Sequence, residues 1–113
     1  MASIEAPPRL SVASEQESDA VSLRVGGELD LATCPVLSEE VESVFVGDPA
    51  TILVDLCDVT FIDSRGIAVL LATLTRCEAE GRELRVTTAS NQVRRVLELT
   101  GVAERLGGVP ALV

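Results

Sequence analysis

The chain has 113 residues, 47% of them hydrophobic, and a formal net charge of -9. This length and hydrophobic content suit one compact domain, and the chain is too short for two. All nine basic residues are arginine, histidine is absent and no two cysteines form a CxxC pair. This composition speaks against nucleic-acid binding, a structural zinc site and histidine-based catalysis. Without a basic leader or an apolar run of roughly 18 residues, the sequence predicts a soluble cytoplasmic protein with no membrane insertion.

The N-terminal region predicts a flexible segment and then two strands. Residues 1–8 are small, polar or proline-containing, so we expect a loose lead-in before a domain over residues 9–113. Residues 9–12 predict an edge strand. The alternation of apolar and polar residues over positions 21–25 predicts a second strand with one buried face, which we expect Gly26-Gly27 to stop.

The middle of the chain predicts a helix and a central strand. Apolar residues recur at helical spacing over residues 34–46, with Pro35 near the first turn, and Gly47 follows. The next segment, residues 51–56, is an almost continuous apolar run. Such a run is typical of a parallel strand covered on both faces, so we expect it in the centre of a sheet.

The C-terminal half continues the alternation of helices and strands. A second helix is predicted from about Ser64 to Gly81, with an inward stripe formed by Ile67, Leu70, Leu71, Leu74 and Cys77. A strand over residues 84–88 and a third helix capped by Ser90 follow. This order predicts a layered α/β domain. Right-handed crossovers then bring the loops at residues 26–30, 57–65 and 88–91 to one edge of the sheet.

The turn before the second helix carries the most informative residues. Asp63 or Ser64 can accept hydrogen bonds from the first free amides of the helix, a very common role for either residue. Alternatively, Ser64 is an exposed hydroxyl at a helix N-terminus, where free amides and the helix dipole accommodate a phosphate. One serine can do both.

Several motifs resemble, in order, the STAS domain of anti-sigma factor antagonists. The resemblance covers roughly residues 20–107 and rests on Gly27-Glu28-Leu29-Asp30, Asp55-Leu56, the stretch from Phe61 through Asp63-Ser64-Arg65-Gly66 to Ile67, Gly81-Arg82-Glu83-Leu84, and Val93 to Val102. It implies an α/β fold of STAS type: a single layered domain, with a mixed β-sheet of four to five strands and three to four helices packed mainly on one face.

The resemblance also implies a function without catalysis. Antagonists of this family bind an anti-sigma factor, usually a serine kinase, and so release a sigma factor for transcription. The kinase phosphorylates the serine that Ser64 matches, and a PP2C-type phosphatase restores it. We therefore expect phosphorylation at Ser64, partner binding by Asp30, Asp63, Ser64, Arg65 and Gly66, and no metal or cofactor.

Other roles for these residues stay open. Asp30 serves equally well to bond turn amides, and Asp63 is better suited to shape and cap the turn than to contact a partner. Arg65 stands where many relatives have a small residue. Its guanidinium can pair with a phosphate on Ser64 or with an acidic partner, or it can be solvated. The three cysteines are expected to be packing residues, with redox sensing as the alternative.

Two other functions compete with the antagonist. A STAS scaffold subunit of a transporter complex, such as an ABC lipid-export system, would share the fold and would not need a phosphorylated Ser64. An enzyme using Asp30, Asp63 and Ser64 is disfavoured, because the sequence has no histidine, no lysine and no Gly-rich phosphate loop.

Overall fold

The computed structural model describes residues 9–110, so the flexible segment predicted for residues 1–8 lies outside the described residues. The elements in chain order are β1 Leu10–Glu17, β2 Ala20–Leu29, α1 Cys34–Val46, β3 Thr51–Ile62, α2 Ser64–Ala79, β4 Glu83–Ala89, α3 Asn91–Leu99 and α4 Val102–Arg105. Within residues 9–110, no helix has both the length and the hydrophobicity needed to cross a bilayer.

The four strands form one mixed sheet in the order β1-β2-β3-β4. β1 runs antiparallel to β2, whereas β2, β3 and β4 are parallel neighbours. Helices α1 and α2 connect these parallel strands, and right-handed crossovers that step in one direction place both helices on the same face of the sheet. The predicted α/β fold, with β3 as a central parallel strand, is confirmed.

The prediction that β3 is covered on both faces is wrong. Ile52, Val54 and Leu56 are at most 3% exposed and belong to the single hydrophobic core, whereas the alternate residues Leu53 and Asp55 are only partly buried. The helices therefore cover one face of the sheet. Because Leu53 lies on the open face, apolar residues follow one another along β3 without the alternation that marks a strand with one buried face.

The prediction that Gly26-Gly27 stop the second strand is also wrong. β2 continues to Leu29, and its pairing with β3 shifts register on either side of the two glycines. Gly27 has a φ of +103°, and a Cβ there would lie 2.1 Å from the carbonyl oxygen of Arg9. Glycine thus permits a bulge in β2 that passes close to the start of β1. β1 itself is longer than predicted, because it extends from Leu10 to Glu17.

The helices follow the predicted positions closely. α1 spans Cys34–Val46 as expected, and the Ser90 side chain caps α3 by accepting from the amide of Val93. The inward stripe of α2 is narrower than predicted: Leu70, Leu74 and Cys77 are buried with Gly66 and Thr73, while Ile67 and Leu71 are half-buried.

The C-terminal half of β3 extends beyond β4 and supports α3. Pairing with β4 ends at Leu56, whereas pairing with β2 continues to Ile62. The hydroxyl of Ser90 donates to the carbonyl oxygen of Val59 at 2.6 Å, which holds the start of α3 against this extension. Much of the expected loop at residues 57–65 is therefore strand.

Gly66, in the first turn of α2, lets this helix approach the ends of two strands. A Cβ at this position would lie 2.7 Å from Cγ of Leu29, 2.8 Å from the Leu29 carbonyl oxygen and 2.9 Å from Cγ1 of Ile62. Neither backbone nor buried leucine can give way by that much without disturbing the core. The residue is therefore a packing glycine.

Gly66→Ala should lower the free energy of unfolding by about 1–3 kcal/mol, because overpacking outweighs the helix propensity gained by alanine. Urea denaturation measures this loss. Gly47→Ala is the matched control: Gly47 has a φ of -76°, and a Cβ there meets only the Val44 carbonyl oxygen at 3.5 Å. If Gly66→Ala were as stable as Gly47→Ala, the close approach of α2 to the strands would be contradicted.

Candidate functional site

The candidate site lies at one edge of the sheet, where β2 and β3 end and α1 and α2 begin. The amide of Asp63 donates to the carbonyl oxygen of Leu29 at 3.1 Å, and Gly66 packs on the same carbonyl. These contacts bring the turn that follows β2 next to the first turn of α2. The sequence prediction that these two segments converge is confirmed.

Asp63 caps α2. Its Oδ1 accepts from the amide of Arg65 at 2.9 Å and from the amide of Gly66 at 3.1 Å, and its backbone is extended, as an N-cap requires. Its own carbonyl accepts from Ile67. Of the two residues that the sequence offered as the cap, Asp63 holds this role.

Ser64 is the first residue of α2, and its side chain is exposed. Its hydroxyl makes no hydrogen bond with the part of the chain that the structure describes, because the amides of the first turn are bound by its neighbour. The free hydroxyl therefore projects from the positive end of a 16-residue helix. A phosphate can be added there without breaking a contact of the fold.

Arg65 is exposed and follows Ser64 directly. Seven of the nine arginines form ion pairs; within residues 9–110, only Arg65 and Arg95 form none. The Arg65 guanidinium is thus an available positive charge beside Ser64.

Asp30 is engaged locally. Its Oδ1 accepts from the amides of Ala32 and Thr33, both at 3.0 Å, and its Oδ2 pairs with Arg9. Desolvation raises the pKa of Asp30, but the hydrogen bonds from Thr33 and the charge of Arg9 outweigh it, so this pKa lies below its ordinary value. The turn-forming role suggested by the sequence is present, and any partner contact would share Oδ2 with Arg9.

The five predicted partner-binding residues differ in accessibility. Ser64 and Arg65 are exposed, Asp30 and Asp63 are half-buried, and Gly66 is buried against the strand ends. The structure places all five at this edge. Only the two exposed residues present side chains that no other described residue binds.

A buried hydroxyl and several exposed apolar residues at this edge were not predicted from the sequence. Thr33 donates to the carbonyl oxygen of Glu28 at 2.7 Å and accepts from the amide of Asp30 at 2.9 Å; the Asp-x-x-Thr spacing is the signal that could have revealed it. Leu31, Val36 and Phe61 are 62%, 46% and 50% exposed. Phe61 could have been recognised because strand alternation places it opposite the buried Ile62.

The described residues contain no assembled metal site, and two of the three cysteines are held as thiols. No group of three or more aspartate, glutamate or cysteine side chains converges within residues 9–110. A hydrogen bond with Asp55, together with burial, raises the pKa of the Cys57 thiol, and burial raises that of Cys77. A raised pKa disfavours the reactive thiolate form of both cysteines.

Asp63→Ala should lower the free energy of unfolding by about 1 kcal/mol, as the loss of an N-cap does. Ser64→Ala should change it by less than about 0.5 kcal/mol, because the serine hydroxyl has no partner in the fold. Urea denaturation of the two variants beside the parent measures both effects. A loss for Ser64→Ala as large as that for Asp63→Ala would contradict the assignment of the cap.

Comparison with known proteins agrees with this fold. A family model described as "Mlab, STAS domain" matches residues 12–112. The anti-sigma-B factor antagonist of Staphylococcus aureus is 28% identical over 95 residues, which are 84% of this chain and 88% of the relative. The anti-sigma-B factor antagonist of Listeria monocytogenes is 28% identical over 90 residues, covering 80% of this chain and 79% of that one.

Solved structures give the same result. An anti-sigma factor antagonist from Mycobacterium paratuberculosis superposes with a TM-score of 0.82 at 28% identity, over 96% of this chain and 92% of that chain. The antagonist SpoIIAA in its unphosphorylated form has a TM-score of 0.75 at 22% identity, over 91% and 89% of the two chains. Because the family model spans most of the sequence, this chain belongs to the STAS domain family and has anti-sigma factor antagonists among its relatives.

Proposed function

We propose that this protein is an anti-sigma factor antagonist that is switched by phosphorylation of Ser64. In its unmodified form it binds an anti-sigma factor of the serine kinase type, which releases a sigma factor for transcription. The kinase transfers a phosphate to Ser64 and thereby ends binding, and a PP2C-type phosphatase restores the serine. The protein acts in the cytoplasm as a single STAS domain over residues 9–113, and it does no catalysis itself.

The observation that carries this proposal is the separation of roles between Asp63 and Ser64. The aspartate binds the first amides of α2, and the exposed serine is left free. A kinase therefore reaches the hydroxyl without local unfolding, and the phosphate sits at a helix N-terminus that favours negative charge. SpoIIAA has been solved in a phosphorylated form with the same fold, at a TM-score of 0.70 to this chain.

The surroundings of Ser64 explain why a phosphate would weaken binding. Exposed apolar residues Leu31, Val36 and Phe61 belong to the same edge of the sheet, and apolar contacts gain energy only when water leaves them. A phosphate of about -1.5 to -2 charges holds water and adds to the negative charge of Asp63. Affinity then falls while the domain stays folded.

The transfer to Ser64 is the most direct test. Incubation with ATP and each candidate anti-sigma kinase from the same genome should add a single phosphate, detected as a shift in intact mass. The shift should disappear in Ser64→Ala. It should persist in Ser43→Ala, a control that alters another exposed serine, on α1.

Binding of the same kinase provides the second half of this test. Ser64→Ala should bind it persistently in the presence of ATP, and Ser64→Asp should fold but bind at least about tenfold more weakly, which corresponds to 1.4 kcal/mol. Equal binding by both variants would reject the switch. A phosphate found in Ser64→Ala would reject the acceptor assignment.

The alternative is a scaffold subunit of a transporter complex, which shares the fold. A sulfate transporter family protein from Wolinella succinogenes has a TM-score of 0.64 at 20% identity, a likeness of fold alone. The scaffold needs no free hydroxyl at the start of α2. Failure of active kinases to modify Ser64, together with co-purification of a transporter ATPase, would favour it.

A further inference from the structure

A groove of about 340 Å³ lies between α1 and α2 and begins beside the candidate phosphoacceptor. Its walls are small or apolar residues at helical spacing: Cys34, Ser38 and Val41 from α1, and Ala68, Val69 and Ala72 from α2. Because alanine, serine and cysteine do not fill the space between the two helices, side chains from another molecule can enter it.

The dimensions of the groove suit a helix. It follows α2 from Arg65 to Arg76, which is about 16 Å or three turns at 1.5 Å per residue. Its floor includes Val41 and Thr73, each 7% exposed, while Ala68 and Ala72 on the wall are exposed. A third helix that rests on two packed helices inserts its side chains in this way.

The charges at the two ends of the groove differ. At the far end, Arg76 pairs with Glu42 at 2.9 Å and with Glu80 at 3.0 Å, and its guanidinium lies 3.8 Å from the centre of the Phe45 ring. This arginine is fully engaged. At the near end, Arg65 is exposed and forms no ion pair within residues 9–110. The groove therefore offers one available positive charge, next to Ser64.

We propose that the groove between α1 and α2 is the docking site for a helix of the anti-sigma factor, whose apolar side chains enter the groove and whose carboxylate pairs with Arg65. The proposal rests on the antagonist function stated above and identifies the surface that this function uses. A carboxylate is the complementary group because a guanidinium binds it through two parallel hydrogen bonds.

This arrangement links modification to docking. A phosphate on Ser64 lies on the residue next to Arg65 and binds guanidinium strongly. It therefore competes with the carboxylate of the docked helix for the same arginine. Phosphorylation acts by removing the charge that anchors the partner, in addition to repelling it.

Matched variants separate the groove from the phosphorylation site. Binding of the kinase identified by the mass experiment is measured by titration calorimetry for Arg65→Gln and Ala72→Trp. The controls are Arg95→Gln, the other arginine without an ion pair in the described chain, and Ala79→Trp, an exposed alanine of α2 outside the groove. Thermal melting confirms that each variant is folded.

We expect Arg65→Gln and Ala72→Trp each to weaken binding about tenfold or more, and both controls to stay within about threefold of the parent. Ala72 is eight residues beyond Ser64, about 12 Å along the helix. A loss of affinity caused by Ala72→Trp therefore indicates that the kinase contacts the groove and not only the residues around Ser64. If both test variants bound like their controls while Ser64→Asp bound weakly, the groove would be rejected and the phosphoswitch retained. If Ser64→Asp also bound like the parent, both would be rejected.

Alkylation of the unmodified protein gives an independent readout. Cys34 lines the groove, and Cys57 lies on β3 outside it; both are partly exposed. Docking of the kinase should slow the reaction of iodoacetamide with Cys34 and leave the rate at Cys57 unchanged. Equal rates at Cys34 with and without saturating kinase would overturn the proposal, whatever the folding of the variants.

Discussion

The contact between the first turn of α2 and the end of β2 fixes the geometry of the site. Gly66 packs on Leu29 without room for a Cβ, and the amide of Asp63 donates to the Leu29 carbonyl. This contact holds the start of α2 beside the turn that follows β2. The exposure of Ser64, the position of Arg65 and the entrance to the groove between α1 and α2 all depend on it.

The structural roles at this edge are divided among a few neighbouring residues. Asp63 satisfies the first amides of α2, Gly66 allows the close approach, and the carboxylate of Asp30 orders the preceding turn. These roles require partial or full burial. Ser64 and Arg65 carry no such duty, and a residue without a structural duty can be modified or can bind a partner at little cost to the fold.

The sequence predicted the element order, the central strand and the N-terminal position of Ser64, because these follow from hydrophobic periodicity and capping chemistry. It did not predict the continuation of β2 through Gly26-Gly27, since those glycines form a bulge against Arg9 that depends on long-range pairing. The sequence pattern also could not distinguish a strand covered by helices on one face from a strand covered on both faces. Leu53 is apolar but lies on the open face, a placement that only the packing of the helices determines.

The resemblance suggested which residues form the site, and the structure shows which of them also hold the fold together. Gly66 was expected to bind a partner, and it is buried against the strand ends. The groove was not predicted at all. It arises between two helices that are separated by a whole strand in the sequence, and small residues on one helix do not indicate what faces them.

The central claim is that a phosphate on Ser64 changes the surface of the domain and leaves its fold intact. The most direct measurement compares amide ¹H–¹⁵N spectra of the unmodified protein with those of protein carrying phosphoserine at position 64. We predict that chemical-shift changes are confined to the first turn of α2 and the adjoining turn at Asp30, with amides of the sheet unmoved. Shift changes or line broadening throughout the sheet would contradict the claim, because they would show that the phosphate acts by disturbing the fold.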